Sequence, residues 1–109
     1  MLNPKSVYIA GPMTGIEGYN FPAFISAAKR LRESGEFNIV ISPHEICLRV
    51  GEPEKVTKQF DCMRLIHKME MAALCTCTTI YLLKGWENSR GAREELAFAL
   101  RENMRILVE

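Results

Sequence analysis

The sequence predicts an α/β fold: a small Rossmann-like (flavodoxin-like) open sheet of about four parallel strands, with helices on both faces. Two observations predict it. Short apolar runs rich in β-branched and aromatic residues alternate with segments whose apolar residues recur every three or four positions. Two of the strand-like runs also end in polar, glycine-containing loops, where open α/β sheets place their ligand sites. We expect right-handed crossovers between the parallel strands and the strand order 2-1-3-4.

The first strand and the first helix are predicted by an apolar run and by end signals. Residues 6–10 are apolar and are followed directly by Gly-Pro, which predicts a central strand that stops there. A glycine-containing loop covers residues 11–20. The helix that begins at Phe21 has Asn20 as its expected N-cap and a proline in its first turn, and Gly35 ends it.

The middle of the chain predicts one strand, one irregular segment and one long helix. Residues 37–41 predict the second strand. Residues 44–55 have weak periodicity and contain Gly51 and Pro53, so we expect a loop with one helical turn. Residues 56–74 predict a long amphipathic helix, because apolar side chains recur every three or four positions at Met63, Ile66, Met69 and Ala73.

The last three elements complete the sheet. Residues 78–83 predict the third strand, residues 92–103 the last helix, and residues 105–108 a short final strand. In the order 2-1-3-4 the chain leaves strands 1 and 3 on opposite faces, which opens a crevice at their carboxyl ends. We therefore expect the loops over residues 11–20 and 85–91 to share one site.

Composition limits the functional classes. We expect residues 1–109 to form a single domain, and the net charge of +1 predicts no recruitment of nucleic acid or anionic lipid. Without a signal-peptide pattern or a run approaching the ~20 apolar residues of a membrane span, a cytoplasmic protein is expected. The spacing of the cysteines fits no common metal site, so we expect reduced, mostly buried thiols at Cys47, Cys62, Cys75 and Cys77.

Two adjacent glutamates follow Gly91 in the last predicted helix. Helical geometry places Glu95 about 100° from Leu96, at the edge of the expected inward stripe, and turns Glu94 about 160° away, toward water or a basic neighbour. That stripe consists of Leu96, Ala99, Leu100 and Asn103. The nearby helix dipole lowers a carboxyl pKa by well under one unit, so we expect an ionised Glu95 unless burial raises its pKa by about 3 units. The alternative is that Glu95 only stabilises the start of the helix.

Two motifs carry a family resemblance that covers nearly the whole chain. The run Tyr8–Gly15, together with the pattern Ser89-x-Gly91-x-x-x-Glu95, resembles the nucleoside 2-deoxyribosyltransferase superfamily. The chain looks most like an uncharacterised phage and bacterial branch. The phrases of that branch present here are Gly-Pro-Met-Thr-Gly, Asn-Phe-Pro, Ser-Pro-His-Glu and Gly-Trp-Glu-x-Ser-x-Gly-Ala.

The resemblance implies roles for three side chains. Glu95 matches the nucleophile that attacks C1′ of a 2-deoxyribosyl group and forms a covalent glycosyl-enzyme, which suits a retaining double displacement. Tyr8 matches the residue that orients this glutamate. Glu70 stands where the family usually has an aspartate that binds or protonates the base. Glu70 also lies on the apolar stripe of its helix, where burial would raise its pKa, although an acid at a stripe's edge can reach solvent.

Residues of both loops are candidates for substrate binding. In the similar 2′-deoxynucleoside 5′-phosphate N-hydrolase branch, Ser89 and Gly91 match positions that bind the 5′-phosphate. Thr14 stands where that branch has a phosphate-binding arginine. Donors to a phosphate could instead come from Asn88, Ser89 and Arg90. The candidate set is Gly11, Pro12, Met13, Thr14, Gly15, Asn20, His44, Trp86, Asn88, Ser89 and Gly91. Asn20 could instead serve only as a helix cap, and Trp86 only as a half-buried turn residue.

These observations predict an enzyme that cleaves or transfers the N-glycosidic bond of 2′-deoxynucleosides or their 5′-monophosphates, with no metal or organic cofactor. Its expected partners are the small-molecule substrate and further copies of the chain, as a homodimer or a higher homo-oligomer. Two alternatives stay open. The chain is a nucleotide-binding module without turnover, or an oligomeric accessory protein.

Overall fold

The computed structural model describes residues 5–50 and 60–109; for residues 60–63 it describes the backbone and not the side chains. Its sheet has four parallel strands in the order β2-β1-β3-β4. The strands are β1 (Ser6–Ala10), β2 (Ile39–Ile41), β3 (Thr79–Leu82) and β4 (Arg105–Val108). The predicted α/β class and strand order are confirmed.

Four described helices connect the strands: α1 (Phe21–Glu33), α2 (Pro43–Val50), α3 (Phe60–Cys75) and α4 (Arg90–Arg101). Short 3₁₀ turns over Glu17–Asn20 and Trp86–Asn88 precede α1 and α4. Both turns lie at the carboxyl ends of the central strands, so each of the two loops there has some local structure of its own.

The side chains of β1 alternate between two apolar clusters on opposite faces of the sheet. Tyr8 and Ala10 pack in the cluster that also holds Leu74 of α3 and two alanines of α4. Ile9 packs with Phe24 and the alanines of α1. All five residues of β1 are buried, as expected for the inner strand of a parallel sheet covered on both faces.

The start and end of α1 differ in detail from the prediction. Asn20 does occupy the N-cap position, but it has a left-handed backbone (φ 59°) and its side chain caps no helical N–H group. Its amide instead donates to the carbonyl oxygen of Pro12 at 2.8 Å, which ties the loop after β1 to α1. The helix ends at Glu33, and Gly35 follows with φ 72°, a left-handed conformation that suits glycine.

The prediction of a loop over residues 44–55 is wrong in its first part, because residues 44–50 form the helix α2 together with Pro43. Ser42 precedes the helix, Pro43 is its first residue, and the N–H group of Glu45 donates to the Ser42 carbonyl oxygen at 3.1 Å. Cys47 of α2 packs on Ile66 of α3 in a small buried cluster of its own. The rest of the predicted loop lies outside the described residues, and α2 forms part of the protein core.

Several sequence expectations concern α3 and the cysteines. The expected helix start at residue 56 lies outside the described residues, as do the side chains of Cys62 and Met63. Ile66 and Leu74 are the buried side chains of the described part of α3. Cys47 and Cys77 are buried free thiols, whereas Cys75 is exposed. Within the described ranges, no helix combines the length and apolarity needed to cross a membrane.

Candidate active site

A cleft of about 310 Å³ opens at the carboxyl ends of β1 and β3. The loop after β1 contributes one wall, the segment leading into α4 a second, and α2 with α3 a third. Residues from both predicted loops therefore line one cleft, the arrangement expected where the strand order of an open α/β sheet reverses.

The wall after β1 begins with a glycine that is needed for close packing. A Cβ added to Gly11 would lie 2.7 Å from Cβ of Leu83, closer than side chains approach one another. Gly11 therefore lets the β1 loop pass directly over the end of β3. Pro12, Met13 and Thr14 follow along the same wall, and Thr14 is exposed at the mouth of the cleft.

The second wall is the start of α4, which begins two residues earlier than predicted. Ser89 is its N-cap, and the Ser89 hydroxyl accepts the backbone N–H of Ala92 at 3.2 Å. Asn88, Ser89 and Gly91 line the cleft. A Cβ added to Gly91 would meet no atom of the described residues within 4 Å, apart from its own helix backbone. The glycine at position 91 therefore leaves open space beside the cleft.

Glu95 lies on the buried face of α4, at the floor of the cleft. Its side chain is 4% exposed, and the other buried residues of the helix are Ala92 and Ala99. The predicted stripe was wrong in part, because Leu100 is 57% exposed. The buried face of α4 is narrow and made of small residues, and Glu95 lies within it instead of at its edge.

Tyr8 of β1 lies beneath the cleft, fully buried, and interacts with Glu95. The phenol lowers the pKa of the Glu95 carboxyl, whereas burial and then the charge of Glu95 raise the pKa of Tyr8 well above its ordinary value. Neither Tyr8 Oη nor Glu95 Oε2 has a hydrogen-bond partner of good geometry among the described residues. The two groups are thus close to each other without a well-aligned hydrogen bond. Buried polar atoms of this kind are costly in a folded protein unless they serve a ligand or a reaction.

Two carboxyl groups share the cleft and hold protons more strongly than usual. Burial raises the pKa of Glu95 from 4.5 to about 8, with a further contribution from the charge of Glu70. Burial alone raises the pKa of Glu70 to about 7. An ionised Glu95 was expected unless burial raised its pKa by about 3 units, and burial together with the charge of Glu70 raises it that far. Glu95 lies in the second turn of α4, beyond the free N–H groups, and the cost of burial exceeds any gain from the helix dipole.

Glu94 points away from the floor of the cleft, as predicted. Its carboxylate pairs with Arg90 at 3.1 Å (Nε to Oε1) and with His67 at 3.7 Å (Nε2 to Oε2). The second contact is an ion pair only when the imidazole is protonated. Glu94 therefore joins α3 and α4 at the rim of the cleft.

The third wall was not predicted, because it depends on α2. Pro43 and Cys47 of α2 and Ile66 of α3 form an apolar surface that faces the start of α4. Glu70 lies one helical turn after Ile66 on the same wall. Burial, and then the charge of Glu70, raises the pKa of the Cys47 thiol. The spacing of Pro43 and Cys47, four residues apart, was the sequence signal for this surface.

Four of the proposed substrate-binding residues do not line the cleft. Gly15 lies in the exposed turn after β1, and Asn20 binds Pro12 through its amide. His44 is buried, with Nδ1 2.5 Å from the Ser42 hydroxyl, and its ring packs on an aromatic neighbour of α1. Trp86 packs against the apolar cluster beside Tyr8. The structure gives the side chains of Asn20, His44 and Trp86 a local packing or bonding role.

No three His, Cys, Asp or Glu side chains within residues 5–50 and 64–109 converge in a way that could hold a metal ion. The side chains in and beneath the cleft supply two carboxyl groups, one phenol and the polar residues at the start of α4.

Comparison with known proteins gives a family. No curated protein is similar enough to the chain to count as a match. Residues 5–108, nearly the whole chain, match the family described as Domain of unknown function (DUF4406). The protein thus belongs to the DUF4406 family.

Proposed function

We propose that the protein cleaves or transfers the N-glycosidic bond of 2′-deoxynucleosides or their 5′-monophosphates through a covalent glycosyl intermediate on Glu95. One observation carries the proposal. A carboxyl group that is 4% exposed, with Oε2 lacking a partner among the described residues, lies at the floor of a cleft beside a buried phenol. The cleft volume of about 310 Å³ is near the lower end of the range for small-molecule sites.

In the first step a carboxylate oxygen of Glu95 attacks C1′ of the sugar. The C1′–N bond breaks as the new C1′–O bond forms, and its electron pair leaves with the base. The protonated carboxyl of Glu70 gives its proton to the departing base, as a general acid does. The sugar is then an ester of Glu95, the intermediate of a retaining double displacement.

In the second step a water molecule, or a second base, attacks C1′ from the face that the first base left. The C1′–O bond to Glu95 breaks, and its electron pair returns to the carboxylate. Glu70, now ionised, takes the proton of the attacking group. One carboxyl therefore acts as nucleophile and the other first as acid and then as base, and both are regenerated.

This division of roles requires a single proton on the pair of carboxyl groups. Interacting acids titrate as a pair, and pKa values of about 7 and about 8 leave one proton on the pair between these limits. The reactive form has that proton on Glu70. Because the pKa of Glu95 is the higher of the two, this is the minor of the two singly protonated forms, and the Tyr8 phenol increases its share by lowering the pKa of Glu95. The motifs that resemble nucleoside 2-deoxyribosyltransferases support the same roles.

A nucleotide-binding module without turnover is the second candidate, and the raised pKa of Glu95 favours it. A carboxyl that keeps its proton at neutral pH is a poor nucleophile. Exposed Thr14, in place of an arginine in the similar hydrolase branch, would also weaken the hold on a phosphate. In this case the cleft binds nucleotides but releases no base.

The test is incubation with a panel of deoxynucleosides and their 5′-monophosphates, followed by chromatography for free base. We expect at least one substrate to release base, and Glu95→Gln to lower the rate by roughly 10⁴- to 10⁶-fold, as loss of a nucleophile does in enzymes. Glu102→Gln is the matched control, because Glu102 is an exposed acid at the other end of α4.

The outcomes separate the two candidates. Base release that survives Glu95→Gln contradicts the proposed mechanism. Absence of base release, combined with thermal stabilisation of the protein by a nucleotide, favours the binding module, because a ligand of the native state raises its apparent stability.

A further inference from the structure

The rim of the cleft holds a carboxylate between two basic side chains. Arg90 of α4 and His67 of α3 both line the cleft. Glu94 contacts Arg90 Nε at 3.1 Å and His67 Nε2 at 3.7 Å, one with each of its oxygens. The Arg90 side chain is 87% exposed and those of His67 and Glu94 are about half exposed, so a ligand can reach all three from solvent.

A negative group in the cleft would be attracted to the same two side chains. Arginine binds phosphate and carboxylate groups through parallel N–H donors, and a protonated histidine adds a second cation. Glu94 thus occupies the donors that an anionic ligand would use. Both basic partners of Glu94 border the cleft.

Two further observations show that the cleft beside this rim suits a ligand. Gly91, next to Arg90, leaves open space in which a Cβ would meet no described atom beyond its own helix. Deeper in the same cleft, Oε2 of Glu95 is buried without a partner among the described residues. A ligand that contacts Glu95 at the floor and passes Gly91 reaches Arg90 and His67 at the rim.

We propose that Arg90 and His67 bind a phosphate monoester on the substrate, and that Glu94 is an internal competitor that this phosphate must displace. The inference rests on the proposed function in taking the ligand of the cleft to be a nucleoside. Its new element is the competition: one acidic side chain of the protein reduces the preference for phosphorylated over unphosphorylated ligands.

The competition is modest in size. Exposed ion pairs are individually weak, so releasing both cations from Glu94 should tighten phosphate binding by about two- to fivefold. Removal of the arginine should have a larger effect of opposite sign, because a charge-assisted contact is lost instead of freed.

The test compares two probes by isothermal titration calorimetry at low ionic strength: deoxyadenosine and deoxyadenosine 5′-monophosphate. The variants are Glu94→Gln and Arg90→Gln. Glu87→Gln is the matched control, because Glu87 is an exposed acid of the preceding turn and its loss changes the net charge equally. Inorganic phosphate, added as a competitor, separates binding of the phosphate group from binding of the nucleoside.

We expect Glu94→Gln to tighten the monophosphate about two- to fivefold and to leave deoxyadenosine unchanged. Arg90→Gln should weaken the monophosphate alone, and inorganic phosphate should compete better against it in Glu94→Gln than in the protein that keeps Glu94. Equal effects of Glu94→Gln and Glu87→Gln would overturn the proposal, as would a monophosphate that binds neither protein. Every variant, like the protein it is compared with, is made in a Glu95→Gln background so that binding is measured without turnover, and a protein that releases no base can still confirm the competition.

Discussion

Replacing Glu95 by Gln should stabilise the protein, and more so as the pH rises. The pKa of this carboxyl is raised from 4.5 to about 8, mainly by burial. A group with a raised folded-state pKa keeps its full contribution to stability below pH 4.5 and loses it as the pH rises through about 8. At about 1.4 kcal/mol per pKa unit, ionising Glu95 costs the folded state about 5 kcal/mol above this range. Glutamine is uncharged at every pH in this range, so the variant lacks this destabilising contribution.

The assay is urea unfolding of the native protein and of Glu95→Gln at about pH 5 and about pH 9. The free energy of unfolding of Glu95→Gln, relative to that of the native protein, should rise by about 4 kcal/mol between these two pH values. Glu102→Gln, whose acid is exposed at the end of the same helix, should show little change with pH. A difference for Glu95→Gln that is the same at both pH values would refute the argument, because it would mean that the carboxyl is solvated in the folded state.

Three further predictions follow from the site. Gly91→Ala should raise the free energy of unfolding by up to about 1 kcal/mol, because alanine favours a helix, and should weaken nucleotide binding in the same preparation. Gly11→Ala should lower the free energy of unfolding by about 1–3 kcal/mol, since its Cβ would lie 2.7 Å from Cβ of Leu83. Urea unfolding of both variants checks that the free energy of unfolding changes in opposite directions. Base release should be fastest between about pH 7 and about 8, and Glu70→Gln should lower the maximum by about 10²-fold and abolish the decline on the alkaline side.

The sheet could be predicted from the sequence because its signals are local and agree with one another. The inner strand Ser6–Ala10 is mostly apolar and is followed by Gly-Pro. Its neighbour Thr79–Leu82 also precedes a turn with glycine. Handedness then leaves few possible strand orders. The position of the cleft follows from that order, which explains why residues of both loops could be assigned to one site.

Helix α2 was missed although its start carries a recognisable signal. Ser42, Pro43 and Glu45 match the pattern of an N-cap, a first-turn proline and an acid three residues after the cap. The breakers Gly51 and Pro53 outweighed this signal in the prediction, but they come after the last residue of the helix. Because α2 was missed, the apolar wall of the cleft was not predicted.

The depth and charge of Glu95 could not be read from the sequence. The sequence predicted that the face of α4 with Leu96 and Leu100 is buried, because arguments from apolar periodicity take the most apolar face of a helix to be the buried one. Here the buried face carries an acid between small residues, Ala92 and Ala99. The pKa of that acid depends on its burial, on the charge of Glu70 and on the interaction with Tyr8. It therefore follows from tertiary contacts and not from the position of Glu95 in its helix.

The most direct test of the central claim, that Glu95 forms a bond to the sugar, is mass spectrometry of the protein after rapid acid quenching with a deoxynucleoside substrate. The account predicts a mass increase equal to one deoxyribosyl group, which peptide mapping assigns to Glu95 and which Glu95→Gln does not show. Base release without any adduct on this residue, or an adduct that persists in Glu95→Gln, would contradict it.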